Sequence, residues 1–274
     1  MSEQRPPGLS QAPRGAGLVS LVGAGPGDPG LLTVRGKERL EAADAVVFDR
    51  LAHPDLLALA PVSAERIYIG KAYGRHVLEQ EELNNLLVFL ASQGKKVVRL
   101  KGGDPFVYGR GGEEAEALGR AGIPFEIVPG ISSAVAAPAY AGIPVTDRRY
   151  ASSVAFVTGH KHPDDPDGTV DWCGLATSVD TIVVLMGMRH PGAIAAELMR
   201  GGKAASTPVA VVEWGTRSEQ RTLTTTLEGA ADAIAREGYG SPSVIVVGEV
   251  VRLRSSLAWF EELGRAAAGV EASV

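Results

Sequence analysis

Residues 97–114, Val-Val-Arg-Leu-Lys-Gly-Gly-Asp-Pro-Phe-Val-Tyr-Gly-Arg-Gly-Gly-Glu-Glu, constrain the fold of this chain more than any other stretch. They open as a short apolar strand and close where Glu113 and Glu114 suit the positive end of a helix dipole. Between the two, Gly102 and Gly103 carry no Cβ, so a flat ligand can lie directly against their backbone. Pro105 fixes φ and removes a donor, which stiffens the turn. Asp104 puts a carboxylate at the strand's C-terminal end, the edge along which open α/β sheets hold their ligands. Lys101 and Arg110 place cations on either side of it.

The same alternation runs through the chain. Leu18–Val22 reads as a buried strand, followed by the glycine turn Gly23–Gly30 and a helical stretch from Leu32 to Ala43. Further strands are expected at Ala45–Phe48, Arg66–Ile69 and Phe125–Val128. Gln80–Gln93 reads as an amphipathic helix with Leu83, Leu86, Leu87 and Leu90 on one face, and Ser132–Tyr140 as a helix of small residues. The second half repeats the pattern, with strands at Val154–Val157, Thr181–Leu185, Val209–Val212 and Ser243–Val247, a neighbour-paired strand at Arg221–Thr226 and a closing helix at Leu257–Leu263. Strands separated by helices predict an α/β fold of two α/β domains with mainly parallel sheets and right-handed crossovers. The expected divisions are a flexible tail at 1–16, an N-terminal domain at 17–141, a C-terminal domain at 142–264 and a tail at 265–274. Asp49, Lys71 and Asp104 would all fall at strand ends on one sheet edge, where function gathers. Lys161–Asp171 is polar and broken by Pro163 and Pro166, which predicts a mobile loop.

Composition removes several function classes. The net charge of -5 disfavours a nucleic-acid partner. Cys173 is the single cysteine, so neither an internal disulfide nor a cysteine zinc cluster can form. His160 and His162 form an HxH pair without a third ligand nearby, which reads as loop chemistry and not as a metal site. No apolar run reaches 18 residues and the N-terminus lacks a signal-like apolar segment, so a cytoplasmic protein without a membrane span is expected. The Gly23–Gly30 turn invites comparison with a dinucleotide fingerprint. Asp28, however, stands where close helix packing wants Gly or Ala, and its carboxylate would face a pyrophosphate. An NAD or FAD oxidoreductase is therefore the rival reading from another class.

The chain resembles the tetrapyrrole methylases. The stretches that carry the resemblance are Val22–Asp28, Val47–Leu51, Gly70-Lys71, Arg99–Glu114, Val128–Ser133, Ala139–Asp147, Val157–His160, Met186–Met188 and Val212–Thr216, within a match running from about Leu18 to about Leu253. The Arg99–Glu114 stretch is highly specific; the N-terminal glycine turn alone is not. The resemblance implies two α/β domains with S-adenosylmethionine in the cleft between them, S-adenosylhomocysteine as product and no metal. It implies cofactor contacts at Pro26, Gly102, Gly103, Asp104, Val107, Ser132, Ser133, Met186 and Gly215. Ser132 departs from the Thr often found at its place but keeps the hydroxyl. The implied catalytic pair is Asp49 as proton acceptor and Lys71 as proton donor. The implied reaction methylates uroporphyrinogen III at C2 and C7 on the way to cobalamin or sirohaem, with another precorrin of the same family as the alternative substrate. A substrate with eight carboxylates wants a basic site in an acidic protein, and Arg110, Arg148 and His160 are the candidates, with Glu113 as an acceptor for a pyrrole N–H. Relatives imply a homodimer.

Overall fold

The computed structural model describes residues 15–70, 79–261 and 263. Most of the expected tail at 1–16, all of that at 265–274, and Lys71 lie outside the described residues. Contacts divide the chain into two units, Met1–Ser132 and Ser133–Val274.

The first unit is built from β1 (Leu18–Gly23), α1 (Val34–Glu41), β2 (Ala45–Phe48), α2 (Pro54–Leu57), β3 (Glu65–Tyr68), α3 (Gln80–Ser92), β4 (Lys96–Lys101), α4 (Gly111–Arg120) and β5 (Phe125–Val128). The strands form one sheet in the order β3-β2-β4-β1-β5. Every pairing in it is parallel, as the alternation of strands and helices predicts. Successive strand residues point to opposite faces, and both faces are covered, which explains the unbroken apolar runs. Leu40 of α1 and Leu56 of α2 pack with Val22, Val46, Val98 and Leu100 on one face. Leu83, Leu87 and Leu90 of α3 and Leu118 of α4 pack with Val19, Leu21, Val47 and Val97 on the other. Local signals set the helix starts: Thr33 Oγ1 accepts from the Gly36 N–H at 3.1 Å, and Glu79 and Glu82 form a capping box on α3.

The second unit contains α5 (Ser133–Tyr140), β6 (Val154–Thr158), α6 (Trp172–Ser178), β7 (Thr181–Leu185), α7 (Pro191–Arg200), β8 (Pro208–Glu213), β9 (Arg221–Thr226), α8 (Ala230–Glu237), β10 (Ser243–Val247) and α9 (Arg254–Leu257). Its sheet order is β6-β7-β10-β8-β9. The parallel arrangement expected of both halves is here confined to β6 and β7; β10 runs antiparallel to β7 and β8, and β9 antiparallel to β8. The link 214–220 between β8 and β9 is too short for a crossover and can only reverse the chain. Helix α5, which the sequence reading places before its 141/142 division, packs with the second unit: Ala134 and Ala137 join Val183, Leu185, Val212 and Val244 in one apolar cluster. The opposite face is covered by α6, α7 and α8, through Trp172, Leu198 and Ile234. The closing helix begins earlier than its apolar spacing suggests and breaks at Ala258, whose ψ of 58° is not helical.

Candidate active site

In the first sheet, β1 and β4 are neighbours, but their onward connections diverge. The chain leaves β1 through α1 on one face toward β2, and leaves β4 through α4 on the other face toward β5. Such a point is where open α/β sheets leave a crevice beyond the strand ends. The chain fills it with glycine. The Gly103 N–H donates to the Gly25 carbonyl at 2.7 Å, and the Gly25 N–H donates back to Gly103 at 3.2 Å. Gly25 and Gly103 hold φ of 77° and 67°, which glycine adopts at no steric cost. A Cβ on Gly130 would sit 2.3 Å from the Gly103 carbonyl oxygen, and one on Gly23 would sit 2.5 Å from the Gly130 Cα. The bare backbone expected to receive a ligand is thus also used by the chain against itself.

Asp104 anchors this turn. Its Oδ1 accepts from the Phe106 N–H at 2.8 Å and its Oδ2 from the Gly130 N–H at 3.0 Å, which ties the turn after β4 to the one after β5. Val107 lies partly exposed on the same turn, while Gly102, Gly103, Pro26 and Ser132 are partly buried. Asp28 has a local role, accepting from the Gly30 N–H at 2.7 Å. The Gly25 amide is occupied by Gly103, so that N–H is not free to receive a pyrophosphate.

Asp49 follows β2. Its Oδ1 accepts from the Leu51 N–H at 3.0 Å, and its Oδ2 faces Arg99 Nη2 at 3.3 Å. Arg99 also meets Glu114 Oε1 at 3.3 Å, and Lys101 Nζ donates to that same oxygen at 2.6 Å. Burial, then the neighbouring Arg99 charge, hold the Lys101 ammonium below its ordinary value, against the opposing pull of Glu114. Sequence reasoning assigned Lys101 to the rim of the turn and Glu114 to a helix dipole; both are buried. The available signal was two cations inside an otherwise apolar strand run. Arg110 and Glu113, expected to meet substrate, face each other at 2.8 and 2.7 Å in a two-pronged, exposed pair. The Arg110 guanidinium holds the Glu113 carboxyl below its usual range.

In the second unit, β6, β7 and β8 end on one edge, beside the start of β10. Met186 follows β7 with φ of 57° and a half-exposed side chain. Gly215 follows β8 and packs so tightly on α5 that a Cβ there would lie 2.4 Å from the Ala137 Cβ. It sits between Trp214 at φ 50° and Thr216 at φ 73°. The buried Glu213 steadies this turn by accepting from the Gly240 N–H at 2.7 Å and from Arg221 Nε at 2.8 Å. Ser133 opens α5 and is partly buried. Arg148 and His160 are exposed. The Lys161–Asp171 loop is a run of local turns, with Asp165 N–H donating to the His162 carbonyl and Gly168 N–H to that of Asp165. Among the described residues, no group of three or more His, Cys, Asp or Glu side chains could hold a metal ion. Nor, among them, is any helix long and apolar enough to cross a membrane.

Among the described residues, the non-glycine positions with positive φ are Tyr108, Arg110, Met186, Trp214 and Thr216. All five lie in the turns after β4, β7 and β8 that hold expected site residues. Thr216 is β-branched, for which this conformation is an outlier. Such strain costs roughly 1–3 kcal/mol per residue and gathers at functional sites. Tyr108, Trp214 and Thr216 were not singled out from sequence, because backbone strain leaves no mark in residue type.

A family model described as Tetrapyrrole (Corrin/Porphyrin) Methylases matches residues 18–231. The chain belongs to the tetrapyrrole methylases. Among members of that family, the uroporphyrinogen-III C-methyltransferase of Priestia megaterium is 53% identical over 235 residues, covering 86% of this chain and 98% of its own length. The siroheme synthase of Chromobacterium violaceum is 50% identical over 256 residues, but this chain spans only 54% of it. The crystal structure of the Thermus thermophilus uroporphyrin-III C-methyl transferase, complexed with S-adenyl homocysteine, is 40% identical with a TM-score of 0.73, covering 86% of this chain and 100% of that one. A cobalt precorrin-4 methyltransferase structure is 29% identical with a TM-score of 0.76, covering 85% and 95%.

Proposed function

We propose that this tetrapyrrole methylase transfers methyl groups from S-adenosylmethionine to C2 and C7 of uroporphyrinogen III, giving precorrin-2 by way of precorrin-1 and releasing S-adenosylhomocysteine. The observation that carries the reading is the glycine turn at the divergence of β1 and β4, with Asp49 anchored at a strand end of the same sheet edge. The likeness to the Priestia methyltransferase over nearly its whole length supports the substrate.

The residues present suit the cofactor. It has no phosphate, so the occupied Gly25 amide is no handicap. Pro26, Gly102, Gly103, Asp104, Val107, Ser132, Ser133, Met186 and Gly215 would hold it, through bare backbone, partly exposed apolar side chains and two hydroxyls. When bound, S-adenosylmethionine supplies a methyl group on a sulfonium sulfur, open to attack by a nucleophilic pyrrole carbon. The site's main task is then alignment. The methylated ring must lose a proton, and Asp49 takes it. Each of its oxygens keeps a lone pair beyond the Leu51 and Arg99 contacts. Lys71 is the proton donor in this reading. Arg110 binds a substrate carboxylate by exchanging it for Glu113. An exposed ion pair is worth about 0–1 kcal/mol, so the exchange is cheap, and it frees Glu113 to accept a pyrrole N–H. Arg148 and His160 meet further carboxylates. The enzyme acts as a cytoplasmic homodimer without a metal; light scattering at the mass of a single chain would refute the dimer.

The test is incubation with uroporphyrinogen III and S-adenosylmethionine, followed by mass spectrometry. Substrate in large excess over enzyme should first yield the free singly methylated species and then the doubly methylated one, because the spent cofactor must be exchanged between transfers. If only the doubly methylated product appears at the earliest times, the intermediate does not leave the site. If neither appears, the substrate assignment fails. Calorimetry should register S-adenosylhomocysteine binding and none for NADH; the opposite pattern would restore the oxidoreductase reading.

A further inference from the structure

β4 lies between β2 and β1, the most enclosed place a strand of this sheet can take, yet it carries Arg99 and Lys101. Both alternate onto the face covered by α3 and α4, where Glu114 is buried. Side-chain exposure falls to 5% at Arg99, 4% at Lys101 and 1% at Glu114, but is 28% at Asp49. Among its described members the network is closed everywhere except at Asp49. Arg99 is pinned from three directions. Its Nη1 donates to the Leu100 carbonyl at 2.9 Å, its Nε faces Glu114 Oε1 at 3.3 Å and its Nη2 faces Asp49 Oδ2 at 3.3 Å. Lys101 holds Glu114 in turn, and Glu114 Oε2 is buried with no hydrogen-bond partner among the described residues.

Removing these charges from water is costly, and apolar residues of similar volume often give equal or greater stability. Stability is therefore a poor account of the network; what it supplies is a fixed direction at its exposed end. A planar guanidinium suits that task, because its donors keep set angles to one another. We propose that Arg99 is a positioning residue for Asp49, with its guanidinium fixed by Glu114 and Lys101, and that it sets the carboxylate's orientation for proton removal from the methylated pyrrole. This rests on the reading that Asp49 is the proton acceptor.

The experiment is a double-substitution cycle in the full chain, with Arg99→Gln, Asp49→Asn and both together. It reads kcat for methyl transfer, KM for uroporphyrinogen III and S-adenosylhomocysteine affinity. Lys101 remains beside Glu114 in Arg99→Gln, so the buried carboxylate keeps a cation and only the more exposed Asp49 loses its own. Arg99→Gln should lower kcat about 100-fold, the scale of a misplaced reacting group. KM and S-adenosylhomocysteine affinity should change less than about threefold. On the Asp49→Asn background, Arg99→Gln should cost little more, because residues acting as a unit are not additive. Penalties that multiply overturn the proposal, as does an unchanged kcat in Arg99→Gln, or a loss of S-adenosylhomocysteine affinity in step with kcat. An unchanged kcat in Asp49→Asn instead refutes the proton-acceptor reading and takes this inference with it. If Arg99→Gln does not fold, Glu114→Gln replaces it: it keeps an acceptor for Lys101 and loosens Arg99. Its smaller loss of kcat should likewise vanish on the Asp49→Asn background, and persistence there overturns the proposal.

Discussion

Asp49→Asn lowers kcat for methyl transfer by about 10²–10⁴, the usual worth of a positioned general base, while S-adenosylhomocysteine binds as it does to the unchanged chain. The substitution keeps size and shape. An amide oxygen can still accept from the Leu51 N–H, which Asp49 Oδ1 now does at 3.0 Å, so the turn after β2 should persist. What disappears is the anionic acceptor and its pairing with Arg99. Because none of the residues proposed to hold the cofactor is altered, cofactor affinity separates chemistry from collapse of the site. A variant that methylates at the normal rate would remove Asp49 from the mechanism. A variant that loses cofactor binding would make it structural.

Gly103→Asn should weaken S-adenosylhomocysteine binding at least about 100-fold, which corresponds to about 2.8 kcal/mol, with only a small fall in melting temperature. Gly103 holds φ of 67°, and its carbonyl lies under Gly23 and Gly130. Asparagine tolerates this conformation better than other side chains, so it adds bulk to the bare turn with little backbone strain. Valine is β-branched and would add strain of roughly 1–3 kcal/mol, which confounds loss of ligand space with loss of fold. For a chain of this size each 1 kcal/mol lost moves the melting point by about 2–4 °C. Calorimetry on Gly103→Asn beside its melting curve decides between the two. Normal affinity would mean that the glycines serve chain packing alone.

Much of the fold was legible because helix and strand periodicities are local. The boundaries of β2, β5, β7, β9 and β10 coincide with the runs read from sequence, and Gln80–Ser92 is the expected amphipathic helix. The glycine turn after β4 was legible for a different reason: two adjacent glycines ahead of Asp-Pro admit few backbone paths. Spacing alone put Asp49 and Asp104 at strand ends, and both are there.

Other features required the assembled sheets. Nothing local to Ser243–Val247 says that it runs between β7 and β8 in the opposite direction; strand neighbours depend on the whole sheet. Arg99 finds Glu114 15 positions away and Asp49 50 positions away, and Asp104 reaches Gly130 across 26. A residue type announces a charge, but not the partner that lets it be buried. Trp214 and Thr216 take positive φ in a turn whose bonds reach distant positions: the Trp214 N–H donates to the Pro242 carbonyl, and Glu213 beside it accepts from Arg221 and Gly240. From its sequence alone the chain determined which residues could lie at strand ends and where bare backbone was required. The tertiary structure decided which of them touch, because burial and pairing join residues that are distant along the chain.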